Sequence, residues 1–306
     1  MKAAAAVAAG FALVAVAPSA RADPPEPSIP HEPGVRIVRI AYRAHDGLLR
    51  RAFVELPAWY RPRDDPPIPL IISPHGRGVA ARMNLRRWGD LPADGRFAVV
   101  DPEGQGRRLT LFAWGDPGDI SDLARMPQLV EQALPWVHVD LHRIYAFGAS
   151  MGGQETLLLV ARHPYLLAGA AAFDAATDMA ARYEAFARLR FGEWLQRLAQ
   201  VEIGGTPAGD PRAYAMRSPL DCARRIALSG VPLQIWWSTR DRIVSDQAQE
   251  SGRLYRQIER LNSEAPVEEF VGTWAHTAEM RAWTRLPVAL GLFDLLPPSD
   301  AHYGGA

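Results

Sequence analysis

The amino-acid sequence predicts an α/β fold: a doubly wound, mostly parallel sheet with an N-terminal antiparallel hairpin and a partial helical cap. Three observations predict it. From Pro69 onward, short continuous apolar runs alternate with helical stretches, the pattern of parallel strands buried on both faces. Ahead of them, β-rich runs at 35–42 and 48–56 are joined by Ala44-His45-Asp46-Gly47, a turn-type sequence, and read as a hairpin that opens the sheet. The roughly 55 residues between Asp174 and Pro232 are too many for a plain crossover and read as a cap over the site.

The elements follow in chain order. Residues 1–22 read as a signal peptide: Lys2 gives a positive start, 3–17 an apolar stretch, and Ala20-Arg21-Ala22 an A-x-A cleavage site. The stretch is shorter than the roughly 20 residues a bilayer span needs, so no stable membrane insertion is expected. Residues 23–34 form a leader whose five prolines between Asp23 and Pro33 oppose continuous strand or helix pairing. Next come strands at 70–73, 97–100, 143–147, 168–173, 233–238 and 267–271, with helices at 83–88, 121–136, 153–162, 247–261 and 277–290. With 306 residues, 48% of them hydrophobic, the chain can bury one large core. The domain is read as 35–294, with the cap insertion at about 175–231, helical over 179–200, and a tail at 295–306.

Composition excludes several function classes. Formal net charge is zero with both signs dispersed, so the basic stripe that binds nucleic acid is missing. Cys222 is the sole cysteine and has no glycine-rich turn to expose it, so it reads as an inert thiol and no intrachain disulfide can form. Lys2 is the sole lysine, which closes Schiff-base chemistry, Ser-Lys dyads and phosphate-loop binding to the processed chain. His138-Val139-Asp140-Leu141-His142 alternates possible ligands but precedes the central strand, away from the strand ends, and no H-E-x-x-H or cysteine cluster is present; no metal and no cofactor is expected. Nothing in the sequence indicates an oligomeric state.

The chemistry centres on Gly148-Ala149-Ser150-Met151-Gly152, a G-x-S-x-G set between an apolar strand and a helix-compatible run. A serine at so sharp a turn needs glycines on both sides for close backbone approach. Its hydroxyl is a poor nucleophile until a base takes the proton, and that base must be oriented by a carboxylate, in the chain order serine, acid, histidine. His276 follows the last strand and is the expected base. His302 lies in the tail, and His163, after the helix that follows the serine, is expected to favour that helix end electrostatically. Asp241, directly after the strand at 233–238, is the expected acid; Asp246 is the alternative, and a surface ion pair with Arg240 or Arg242 is the non-catalytic reading of Asp241. Backbone N–H groups of Met151 and of Arg77, with Gly76 as alternative, are expected to hold an oxyanion. Phe112, Trp114 and Trp274 are either pocket-lining or core aromatics.

Pro74-His75-Gly76-Arg77-Gly78, the serine motif, Asp241 and His276 together resemble secreted esterases of the α/β-hydrolase superfamily. The resemblance lies near the feruloyl esterase and polyhydroxybutyrate depolymerase-like group, and also the catalytic domain of the prolyl oligopeptidase family, over 35–290. It implies cofactor-free acyl transfer to water through an acyl-enzyme, from a small-molecule or polymer ester; the signal peptide, cleaved near Ala22, leads to the expectation of a secreted or periplasmic protein. A prolyl oligopeptidase-type peptidase, or a non-catalytic binding protein on the same fold, are the alternative expectations.

Overall fold

The computed structural model describes residues 29–32, 34–61 and 65–296, the first segment as backbone alone. The signal-peptide reading, most of the leader, His302 and nearly all of the tail lie outside the described residues. Among those described, the strands are β1 (Ile29–Glu32), β2 (Val35–Arg43), β3 (Leu49–Pro57), β4 (Ile68–Ile72), β5 (Ala98–Pro102), β6 (Val139–Ala149), β7 (Gly169–Phe173), β8 (Leu233–Ser238) and β9 (Val267–Gly272). They form one nine-stranded sheet in the order β1-β2-β3-β5-β4-β6-β7-β8-β9. β1 to β3 run antiparallel, β3 pairs antiparallel with β5, and all neighbours from β5 to β9 are parallel. Part of the proline-rich leader therefore pairs after all: β1 bonds β2 alone, with a register shift between Pro30 and Glu32, and a sheet edge tolerates a missing N–H.

The helices are α1 (Leu85–Trp88), α2 (Leu91–Gly95), α3 (Pro117–Ala133), α4 (Met151–Arg162), α5 (Met179–Phe186), α6 (Gly192–Ala199), α7 (Pro211–Ala215), α8 (Ala223–Ala227), α9 (Ser251–Leu261) and α10 (Leu286–Gly291). Because strand side chains alternate, the buried runs split between two cores. Leu70, Ile72, Val100, Ile144, Ala146, Ala172 and Ile235 meet α3, α4, α8 and α9, whereas Ile71, Val99, Phe147, Phe173 and Trp236 meet Trp88, Leu91, Leu286 and Leu290 from α1, α2 and α10. A third cluster, including Met179, Tyr183, Phe186, Leu195 and Tyr214, is the core of the cap and closes on Trp114 and Met151.

Three expectations change. The helix expected over 179–200 is two helices, interrupted at 187–191, and ends in a π-turn at Gln200–Gly204. The insertion also divides: Leu220, Ala223, Ile226 and Ala227 join the main core, so its last part acts as an ordinary crossover. The helix expected over 277–290 is confined to Leu286–Gly291. Thr277 is left-handed at φ 59° and gives its N–H to Asp174, while Arg87 takes the carbonyls of Thr277 and Met280 at 3.4 and 3.3 Å. The two carbonyls are ones a helix would use as acceptors, and the left-handed Thr277 is outside helical geometry, so the chain stays in turns there.

The placement of the site follows from the topology. β4 lies between β5 and β6, so the chain leaves β4 to one side and returns on the other. A crevice opens beyond the carboxyl ends of strands where the order reverses in this way, and both Pro74–Gly78 and Ser150 occupy strand ends there.

Candidate active site

Ser150 joins β6 to α4 with φ 61° and ψ −121°, a conformation costly for a residue with a Cβ. Its N–H donates to Phe173 O at 2.9 Å, which ties the turn to β7. The flanking glycines explain how the turn fits: a Cβ on Gly148 would strike the Gly152 carbonyl, and one on Gly152 would strike the carbonyl oxygen of Pro74. The second contact brings the loop after β4 against the start of α4.

That loop is held by its histidine. His75, buried, contacts Gly76 O through Nδ1 at 2.8 Å and accepts from Gly104 N at Nε2 over 3.0 Å, which places its proton on Nδ1. Burial pushes its pKa down, so it stays neutral. The Arg77 N–H has no acceptor among the described residues, and Met151, as the first residue of α4, has an N–H without an intrahelical partner. Trp114 N–H donates to the Met151 sulfur at 3.3 Å.

The carboxylate of Asp241 follows β8. Its Oδ1 accepts from Ile243 N and Val244 N at 2.8 and 3.0 Å, and its Oδ2 lies 2.7 Å from His276 Nδ1 and 3.3 Å from Gln247 Nε2. The Asp241 side chain is fully buried, and that of His276 is 15% exposed. Asp246, the alternative acid, is exposed at φ 63° and uses its backbone carbonyl to start the turn before α9. Neither Arg240 nor Arg242 pairs with Asp241 among the described residues. Ser150 Oγ makes no hydrogen bond to His276 in this structure, and such contacts commonly tighten only with substrate bound.

Asp174 completes the constellation and was not singled out from the sequence. It sits at φ 44° directly after β7, and its carboxylate accepts from Ser238 N at 3.0 Å, Trp274 Nε1 at 3.1 Å and Thr277 N at 2.7 Å. It thereby fixes both residues that follow or flank His276. Burial raises its pKa from 3.8 to about 6; the Thr277 bond opposes that shift and the Asp241 charge adds to it. Its signal was available: an acid directly after an apolar run, as for Asp241.

Asp174, Asp241 and His276 bring ligand-type atoms within 4.8 Å of one another. Both carboxylates are already directed at N–H donors, and His276 Nδ1 at Asp241, so the set is organised as a hydrogen-bonded relay in preference to a cation cage.

A narrow cleft, open to solvent, is lined by Ser150, Met151, Trp114, Arg77 and Gln154 together with Ala176, Met179, Arg182, Phe186, Ile243 and Val244. Of the three aromatics considered, Trp114 lines it, Phe112 packs between Trp114 and Trp194 with ring centroids 5.5 and 6.2 Å apart, and Trp274 instead serves Asp174. Burial and then the Arg162 charge lower the His163 pKa, which works against the charged helix end expected of it, and Arg162 is the basic residue in the last turn of α4. Cys222 is buried and its thiol pKa is raised by burial, which suppresses the reactive thiolate.

No family model matches the chain. The poly(3-hydroxyalkanoate) depolymerase C of Paucimonas lemoignei is 31% identical over 110 residues, 34% of this chain and 27% of that protein's length. Among solved structures, the acylaminoacyl peptidase of Pyrococcus horikoshii superposes with a TM-score of 0.64 at 18% identity, over 85% of this chain and 42% of that one. The S-formylglutathione hydrolase FrmB of Staphylococcus aureus superposes at 0.61 and 14% identity, over 85% of this chain and 99% of that one. The fold is thus shared with serine hydrolases of the α/β-hydrolase class, and the matched segment spans about a quarter of the curated relative.

Proposed function

We propose that this chain of α/β-hydrolase fold is a serine hydrolase that cleaves carboxylic esters through Ser150, His276 and Asp241. The reading rests above all on the strained Ser150 turn, since a residue held at positive φ between a strand and a helix needs a reason to be there. The 2.7 Å contact of His276 with Asp241 supports the remainder.

In this mechanism His276 Nε2 takes the hydroxyl proton as Ser150 Oγ bonds to the ester carbonyl carbon. The electron pair moves to the carbonyl oxygen, which receives the N–H groups of Met151 and Arg77; aimed beforehand, they need no reorganisation. Collapse expels the alcohol with the proton from His276, leaving an acyl-serine. Water, deprotonated by the same histidine, then releases the acid. Asp241 keeps the Nδ1 proton on the imidazole and stabilises its cation; Asp174 positions the loop that carries His276. The depolymerase relative favours an ester over a peptide, and the polymer substrate in that relative's name makes hydroxyacid esters the first series to try. The sequence at 1–22 supports export to the periplasm or medium.

Fluorophosphonate labelling of wild type and Ser150→Ala, followed by a p-nitrophenyl ester chain-length series and a peptide p-nitroanilide, tests the activity. Labelling confined to wild type with ester turnover is expected; a folded wild type that does not label overturns the reading. Cell fractionation with N-terminal sequencing tests export, and an intact N-terminus in the cytoplasm would refute it.

A further inference from the structure

Two arginines reach the cleft beside Ser150, and their surroundings differ. Arg182, buried on α5, donates to Ile243 O at 2.8 Å and has Glu250 Oε1 4.0 Å from its Nε, so its charge is met from within the protein. Arg77 has no such neighbour. Its Cζ lies 5.2 Å from the centroid of the Phe186 ring, and among the described residues no carboxylate and no carbonyl accepts from its guanidinium. Burial, and then the like charge of Arg182, lower its pKa to about 10, which leaves it protonated at neutral pH. Apart from Ser150, Gln154 and the two arginines, the residues that line the cleft, Trp114, Met179 and Phe186 among them, are apolar. A half-buried cation held on an aromatic face in an apolar cleft lacks the counter-charge that normally accompanies burial.

We propose that the counter-charge arrives with the substrate: the cleft takes an ester that bears a free carboxylate a few bonds from the scissile carbonyl, and Arg77 pairs with that carboxylate. The inference rests on the serine-hydrolase reading above. Arg77 then serves twice, its backbone N–H toward the oxyanion and its guanidinium toward the anion, which fixes the spacing between the two groups. A planar guanidinium suits a carboxylate because it can donate two parallel bonds. The carboxylate has two chemical sources, the acyl half of a dicarboxylic monoester or the alcohol half of a hydroxyacid ester.

Matched pairs of substrates separate these sources. For the acyl half the pair is 4-nitrophenyl hydrogen adipate and 4-nitrophenyl hexanoate; for the alcohol half it is 3-(butanoyloxy)propanoate and propyl butanoate, followed by acid release. At least one pair is expected to favour the charged member in kcat/KM by about tenfold at low salt, the equivalent of one good charge pair. The preference should shrink as salt rises, collapse in Arg77→Met and return in part in Arg77→Lys. Free adipate should inhibit wild type competitively, which tests the site without any variant. Wild type that labels with fluorophosphonate yet shows no charged preference in either pair, or a preference that Arg77→Met leaves intact, overturns the inference while the hydrolase reading stands. Absence of labelling would instead remove the reading beneath it.

Discussion

Replacing Asp174 separates the positioning of His276 from its chemistry. The carboxylate accepts from a buried donor, Ser238 N at 3.0 Å, and from Thr277 N at 2.7 Å, directly after the histidine. In Asp174→Ala these two N–H groups and the Trp274 indole N–H lose their acceptor. An unsatisfied buried donor costs about 1–3 kcal/mol, and since water can reach the half-exposed Thr277 N–H, a loss of about 2 kcal/mol is expected, close to 5 °C in Tm for a domain of this size. The catalytic effect should be larger, because a shift of about 1 Å at the histidine costs roughly a hundredfold. Asp174→Asn, which keeps one acceptor oxygen, should recover part of the stability and less of the rate. The assay is kcat and KM on a short p-nitrophenyl ester, with a thermal melt on each sample. Since burial raises the Asp174 pKa from 3.8 to about 6, the wild-type rate should carry a step near pH 6, with activity falling as the carboxylate gains its proton, and the Asn variant should lack that step. The stability linkage has the opposite sign: the contribution of the raised pKa is fully present below about pH 4 and is lost as pH rises through about 6. Wild-type kcat in a folded Asp174→Ala would refute the positioning role.

Other outcomes follow from the same structure. Glu55 and Asp101 are buried on β3 and β5 as diagonal neighbours, Asp101 opposite Phe53 and Glu55 opposite Val99, and burial is the first cause that raises both, Asp101 to about 7. Their protonated forms stabilise the fold most below about pH 4, and that contribution is lost as pH rises through 7, so Glu55→Gln should flatten Tm against pH between 4 and 8; an unchanged profile would count against a shared proton. Gly152→Ala sets a Cβ against the Pro74 carbonyl and should slow fluorophosphonate labelling by about a hundredfold; a wild-type labelling rate would refute the close approach. Arg217 bridges Asp116 at 2.7 Å and Glu202 at 3.3 Å, while Glu202 also accepts from the N–H groups of Arg107, Arg108 and Leu109. Arg217→Met strands those buried charges and should cost about 3–5 kcal/mol, or roughly 10 °C in Tm, and a drop under two or three degrees would show that the network carries little.

The sequence made the framework legible wherever one local rule decided the structure. β8 coincides with the apolar run at 233–238 and is buried throughout, since strands buried on both faces read as unbroken hydrophobic stretches; β9, the half-exposed edge strand, extends the run at 267–271 by one residue. Thr277 shows where such reading fails. Its surroundings have helical periodicity, but Thr277 is left-handed with its N–H tied to Asp174, and Arg87, distant in sequence, takes carbonyls a helix would have used. Asp174 itself carried the same local signal as Asp241, an acid after an apolar run, and only the folded chain distinguishes the one that meets His276 from the one that holds its loop.

By itself the sequence determined the α/β class and the strand-serine-helix turn, because these depend on periodicity and on residues adjacent in the chain. Only the tertiary structure decided that Asp241 and not Asp246 lies against His276, that Asp174 secures that histidine's loop, and that Arg77 enters the cleft without a counter-charge. Those outcomes depend on which side chains converge across segments far apart in sequence, and convergence is set by the packing of the whole sheet and cap.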